Sequence, residues 1–419
     1  MSYIKNTSFG LIYTLFLFIF VLMVSCGSTN ATELASGKAT KVQLIRQPYL
    51  QNAFTDSISI LWITDYGKTA HVKYGKTKAL VNIAKGSILK DSLRTRNTVT
   101  IKGLDRGTTY YYAIYTDDNV LASGDTYYFK TEPNTTEFSF YAMGDIGEPL
   151  NTGGFAIVTA HQINNLQERP HFGIGLGDIV YPDGESSFAD EYLFKPLEPI
   201  LKNMPLYPAL GNHDWNVNPD LNFTMEWKLP NNEHYYSFDY GNAHFIALDT
   251  RNGEMYDREN QMIWFENDLK KAQNRYDWIF VYFHHNGKTC TYKPEHESVL
   301  KMYPLFAKYN VDLVLNGHAH TYERLYPLDK DGALIEEFAQ NKHEYPEIKN
   351  GFIQITTGAG GKLKKDWAPQ EPEDCSKDIV AAVGHTGHFS LIHIKGKKLE
   401  LKAISSIGGA VFDSMYISK

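Results

Sequence analysis

The chain has 419 residues, of which 43% are hydrophobic, 21% charged and 14% aromatic, and its 41 basic and 48 acidic side chains leave a formal net charge of -7. This composition excludes a mostly disordered or collagen-like chain, and the acidic balance lacks the basic footprint of a nucleic-acid binder, so no nucleic-acid partner is expected. Three cysteines are too few for a disulfide-built scaffold.

Lys5 is the only charged residue ahead of Cys26, and Phe9 to Val24 is almost wholly apolar. A short positive region followed by such a run has the form of a secretory signal. Its 16 apolar-run residues fall short of the roughly 20 that a membrane-crossing helix needs. Met23-Val24-Ser25-Cys26-Gly27 resembles a bacterial lipobox, although Leu is commoner where Met23 stands. The resemblance implies that residues 1–25 are a signal, that Cys26 carries lipid, and that the exported protein is anchored to a membrane. The alternatives are a plain signal peptide or an uncleaved anchor. Residues 26–41 are small and polar, a tether. Cys290 and Cys375 then remain, either as a disulfide or as two separate thiols.

Residues 42–133 read as β-structure. Ile58, Ile60 and Trp62 alternate with Ser57, Ser59 and Leu61, and Tyr110 to Tyr115 is a strand-prone aromatic run. Turn signals at Asp65-Tyr66-Gly67 and Asp105-Arg106-Gly107 separate short runs, as in a small sandwich. Leu104 to Tyr112 (LDRGTTYYY) resembles a late-strand signature of fibronectin type III domains.

From Glu137 to Lys419 the pattern becomes α/β. Apolar runs stop repeatedly at a polar residue: Phe138 to Ala142 before Gly144-Asp145, Phe172 to Leu176 before Gly177-Asp178, Trp278 to Phe283 before His284-His285, and Val311 to Leu315 before Asn316-Gly317-His318. Residues 258–274 and 298–309 read as helices, and Tyr235 to Leu248 reads as a hairpin turning at Gly241-Asn242. In α/β sheets, sites gather where strands end at their carboxyl edge.

Each motif alone is weak, because Gly-Asp is most often a turn and a single histidine is most often structural. In extended chain His284 and His285 would point to opposite sides, so at most one faces a shared site, whereas His318 and His320 would point the same way. The order is the stronger signal. The chain carries Gly144-Asp145-Ile146-Gly147, Gly177-Asp178-Ile179-Val180-Tyr181, Gly211-Asn212-His213-Asp214, Val281-Tyr282-Phe283-His284 and Gly317-His318-Ala319-His320.

These five blocks resemble the calcineurin-like metallophosphoesterase superfamily. Tyr181, three residues after Asp178, and Thr321-Tyr322-Glu323-Arg324 after the second histidine pair narrow the resemblance to its purple acid phosphatase branch. Gln47-Pro48-Tyr49-Leu50-Gln51 is similar to the start of that family's accessory domain. The resemblance implies an α/β metallophosphoesterase domain, with two central mixed β-sheets flanked by helices, behind a small all-β sandwich. It implies two metal ions: one held by Asp145, Asp178, Tyr181 and His320, the other by Asp178, Asn212, His284 and His318, with Asp178 bridging. A hard, anionic phenolate favours Fe(III) at the Tyr181 site, with Zn, Fe or Mn at the second. The implied chemistry is hydrolysis of phosphate monoesters on a small substrate by metal-held hydroxide. His213 is the first candidate for assisting the leaving group and His296 the second. Asp214 either orients His213 or caps the next segment, and His285 is substrate-facing or stands behind the ligands. Asn286 stands where the family frequently has proline. Two alternatives are kept: phosphodiesterase action on nucleotides or lipid headgroups, and a non-catalytic surface binding lipoprotein. Gly358-Ala359-Gly360-Gly361-Lys362 lacks the spacing of a phosphate-binding loop and is read as a turn, and Lys362 to Lys365 as a solvated loop.

Overall fold

The computed structural model describes residues 41–91, 94–365 and 377–419, without the side chains of Asn252 and Lys377. The signal, the tether up to Thr40, Cys26 and Cys375 lie outside the described residues. Cys290 is disulfide-bonded.

Two sheets form the N-terminal sandwich. One runs in the order Leu44–Gln51, Ser57–Thr64, Thr95–Lys102, Ser87–Lys90. The other runs Asn82–Lys85, Ala70–Gly75, Thr109–Thr116, Asn119–Ala122, with Tyr128–Lys130 also paired to Thr109–Thr116. Ile58, Ile60 and Trp62 fill the core between them with Val72, Val99, Tyr112 and Phe129, as their alternation predicts. The intervening face is not solvated, however: Leu61 is fully buried and joins the core of the C-terminal region, together with Tyr49. A strand sandwiched on both sides reads as hydrophobic on both sides.

The contact with the C-terminal region is polar as well as apolar. Arg46 is buried against the Phe194 ring, with its guanidinium carbon 3.6 Å from the centroid, and pairs with Asp190 and Glu226. Arg94 adds a second ion pair to Glu226 at 3.0 Å. Tyr49 donates its hydroxyl to the Glu226 carbonyl at 2.6 Å. Burial raises the Glu226 carboxyl, but Arg46 and then Arg94 outweigh it and hold its pKa below the ordinary value.

The C-terminal region holds two seven-stranded mixed sheets face to face. In the first, Glu137–Met143, Phe172–Leu176 and Leu206–Ala209 run parallel, and His388–Lys395 flanks Glu137–Met143 antiparallel. In the second, Ala243–Ala247, Trp278–Tyr282, Leu313–Asn316 and Ile353–Thr357 run parallel. Aromatic rings join the sheets. Phe140 stacks on Phe172 at 5.3 Å and meets Phe245 and Phe280 edge-on at 5.0 and 5.3 Å. The WIFVYF run is divided between two cores. Trp278, Phe280 and Tyr282 face the other sheet, and Ile279 and Val281 face helix Arg258–Ala272 and its neighbours.

The expected hairpin is present as Tyr236–Tyr240 and Ala243–Ala247. The expected helix over 298–309 is instead two short ones, Glu297–Leu300 and Tyr303–Lys308. Pro304 sits in the first turn of the second, where its missing N–H costs nothing and no helix is continued through it.

Candidate metal centre

The parallel strands deliver the site. Just past their carboxyl ends, the first sheet places Asp145, Asp178 and Asn212, and the second places His284, His318 and His320. The backbones bind each other there: the His318 N–H donates to Asp145 Oδ2 at 2.9 Å, and the His213 N–H to Asp178 Oδ1 at 2.9 Å. Asp145, Asp178 and His318 adopt left-handed φ of 56°, 49° and 69°. Three non-glycine residues in that region at one site mark backbone strain held by the surroundings. Gly317 explains its own place in the motif. A Cβ there would lie 2.7 Å from both Asp145 Oδ2 and the Leu176 carbonyl oxygen.

Two donor groups form around Asp178. In the first, the Tyr181 hydroxyl lies 2.9 Å from Asp145 Oδ1 and 2.8 Å from Asp178 Oδ2, and His320 Nε2 is 3.2 Å from that hydroxyl and 3.1 Å from Asp145 Oδ1. In the second, His284 Nε2 lies 3.3 Å from Asp178 Oδ1, 3.2 Å from Asn212 Oδ1 and 3.2 Å from His318 Nδ1. All seven residues named as metal ligands from sequence are therefore brought together, with the two oxygens of Asp178 divided between the groups. The Tyr181–Pro182 peptide is cis.

The electrostatics call for positive charge. Burial raises the Asp178 carboxyl, but His284 and His213 overcome this and hold it well below the ordinary range. Burial lowers His284, yet Asp178 and Asp145 push it up to about 9. Burial, then His284 and His285, drive His318 far down, which leaves a neutral imidazole. Burial, then Asp145 and Asp178, raise Tyr181 well above 10. Buried carboxylates are tolerable only with positive charge or donated protons beside them. Carboxylate, phenol and amide oxygens beside imidazole nitrogens fit cations of the Fe, Zn or Mn kind.

The two histidine pairs depart from the extended-chain expectation. The chain bends at 284–285, so both rings face the site: His285 lies 5.0 Å from His284 and 4.6 Å from His318, centroid to centroid. Thr250 Oγ1 fixes its Nδ1 at 2.9 Å. At 317–321 the left-handed His318 and short turns send His318 to the second group and His320 to the first, rather than both to one.

Asp214 does neither thing expected of it. Its carboxylate accepts the backbone N–H groups of Ile179 at 3.1 Å, Val180 at 3.3 Å and Gly211 at 2.8 Å, and so ties the Asp178 turn to the Asn212 turn. Burial, then Asp178, push it up to about 7. His213 takes the Pro182 carbonyl as the partner of its Nδ1, and its ring lies 4.5 Å from that of Tyr181. His296 is half-buried, 4.7 Å from His285 and 5.5 Å from His318 between ring centroids, and its buried Nε2 has no protein partner. Asn286 holds its turn by donating to Thr356 Oγ1 at 3.0 Å.

Sequence reasoning missed Lys362. Its ammonium lies 3.6 Å from the Tyr181 ring centroid and pairs with Glu148 at 2.9 Å, so it belongs to the site and not to a solvated loop. The glycines before it carried the signal. Gly361 donates its N–H to the Asp145 carbonyl at 3.0 Å, and a Cβ on Gly358 would lie 2.8 Å from Asp145 Oδ2.

Comparison with known proteins agrees with this geometry. Residues 138–322 match the family model for calcineurin-like phosphoesterases, and residues 46–131 that for the purple acid phosphatase N-terminal domain. The chain carries a calcineurin-like phosphoesterase domain behind a purple acid phosphatase N-terminal domain. The expected metal-dependent phosphoric ester hydrolase agrees with both matches. Purple acid phosphatase 18 of Arabidopsis thaliana is 27% identical over 302 residues, covering 66% of this chain and 65% of the relative. Purple acid phosphatase 22 of the same plant is 28% identical over 351 residues, covering 79% and 74%. The chain spans 65% and 57% of the length of purple acid phosphatases 18 and 13, less than two thirds of each. In fold, the domain pair is similar to a purple acid phosphatase from yellow lupin (Lupinus luteus) seeds, with TM-score 0.73, 22% identity, and coverage of 88% of this chain and 74% of that one. PhoD follows with TM-score 0.62, 14% identity and 90% of each chain covered.

Proposed function

We propose that this protein is a dinuclear-metal phosphatase acting on phosphate monoesters. In this reading Asp145, Asp178, Tyr181 and His320 hold one cation, Fe(III) by preference, and Asp178, Asn212, His284 and His318 hold Zn, Fe or Mn. The observation that carries it is the division of the two Asp178 oxygens between two donor groups. Two cations held there would supply Lewis-acid polarisation of the phosphoryl oxygens and would lower the pKa of water.

The chain's own residues orient and hold protons. Asp178 and Asp145 fix the two sides of the centre through backbone N–H bonds from the opposite loops. The Pro182 carbonyl accepts the Nδ1–H of His213, so Nε2 is the nitrogen left to gain or lose a proton. That atom is 3.9 Å from Asp178 Oδ2, at the partly exposed edge of the centre, and is placed to protonate a leaving oxygen. His296 Nε2 offers a second polar contact from the His318 side. We further read residues 42–133 as a fibronectin type III-like accessory domain, 137–419 as the catalytic domain, and residues 1–25 with Cys26 as the signal and lipid site of an exported, membrane-anchored lipoprotein.

Metal content and the visible spectrum of a soluble chain beginning at Gly27, with rates on paired mono- and diesters, test the reading. Two metals per chain, an iron-tyrosinate band lost in Tyr181→Phe, and faster monoester hydrolysis are expected. Clearly faster diester hydrolysis would replace monoesterase with phosphodiesterase. No stoichiometric metal after reconstitution would favour the binding lipoprotein.

A further inference from the structure

Beside the metal centre lies a separate cleft of about 450 Å³ that shares His320 as a wall. Among its described lining residues, Lys293, Lys362, Lys364 and Lys365 stand against one acid, Glu148. The cleft is built onto the centre by two backbone links. The His320 N–H donates to the Tyr292 hydroxyl at 2.9 Å, and the Lys364 N–H donates to the His320 carbonyl at 3.3 Å. Lys362 spans the boundary, with its ammonium over Tyr181 and bonded to Glu148. Lys293 holds its ammonium 5.8 Å from the Tyr292 ring centroid, and the ammonium of Lys365 packs against Gly153.

Lysines gathered in a partly enclosed cleft raise the local potential and attract anions. Glu148 answers Lys362, which leaves Lys293 and Lys365 as the cationic wall that the scissile phosphate, once seated at the metals, would have on the His320 side. We infer that the cleft is a subsite for a second anionic group on the substrate, and that the enzyme prefers phosphoric esters carrying one close to the reacting phosphate. The inference rests on the phosphoesterase reading and adds the substrate class. It names an anion held by lysine, either a carboxylate or a second phosphate.

The test compares kcat/KM for three substrates sharing one skeleton: glycerol 2-phosphate, 2-phosphoglycerate and 2,3-bisphosphoglycerate. The metal-loaded wild-type protein is expected to prefer the second or third over the first. Raising ionic strength should narrow that preference, since exposed charges are screened. The Lys293→Ala/Lys365→Ala double variant should lower the preference about three- to tenfold, the scale of removing two partly solvated charge contacts. If that variant does not fold, the wild-type ratios and their salt dependence decide the matter. Equal rates on all three substrates, or a preference that salt leaves unchanged, would overturn the subsite and leave the phosphatase standing. No turnover of any ester would remove both.

Discussion

On the Tyr181 side of Asp178 the donors are two carboxylates, a phenol and one imidazole, and burial, then the carboxylates, hold the proton on the phenol. On the His284 side they are the other oxygen of Asp178, an amide and two imidazoles, and burial with neighbouring rings keeps His318 neutral. One half therefore concentrates oxygen donors and the other imidazole nitrogens. In the proposed reading the shared carboxylate would serve cations of unequal hardness, a hard one where oxygen donors cluster and a borderline one where imidazoles do.

The largest effect breaks both halves at once. Asp178→Ala should lose both metals and lower kcat/KM by about 10³-fold or more, since neither Lewis acid is then held. Metal analysis showing one cation retained at full occupancy would mean that the halves do not depend on a shared carboxylate. His213→Ala should cost about 10²-fold on alkyl phosphates and much less on esters whose leaving group needs no proton. An equal loss on both ester types would assign His213 to binding alone. Tyr181→Phe sharpens the contrast. It should abolish the visible band and reduce activity about tenfold while the second metal stays bound. Loss of both metals would show the phenol holding more than its own half.

A smaller effect concerns the loop behind the cleft. Glu323 is buried, accepts from Thr289 Oγ1 at 2.8 Å and the Cys290 N–H at 2.7 Å, and is pushed up from 4.5 to about 7, chiefly by burial. A carboxyl whose folded pKa is raised contributes stability below the unfolded value, and this is lost as pH rises through the folded one. Between pH about 4.5 and 7 the loss amounts to about 3 kcal/mol. Glu323→Gln should flatten this part of the pH profile, read from urea midpoints at pH 4.5 and 7.5. An unchanged profile would place the titration elsewhere.

Much of the centre was legible because its chemistry is tied to local patterns. Hydrophobic runs ending in Gly-Asp, Gly-Asn or Gly-His mark strand ends, and glycine is required there by backbone crowding, as Gly317 shows. The directions of His284, His285, His318 and His320 were not legible, because alternation holds only while the chain stays extended, and here it bends. Leu61 and Arg46 were not legible either. A strand's second face is polar or apolar according to what packs on it, and that partner lies more than 100 residues further along, at Asp190, Phe194 and Glu226. The sequence by itself determined the donor types, their order along the chain and the strands that present them. Only the tertiary structure decided which oxygen of Asp178 faces which half, that Asp214 ties two turns together, and that Lys362 reaches Tyr181. These depend on close approach between segments far apart in the chain, which no local pattern encodes.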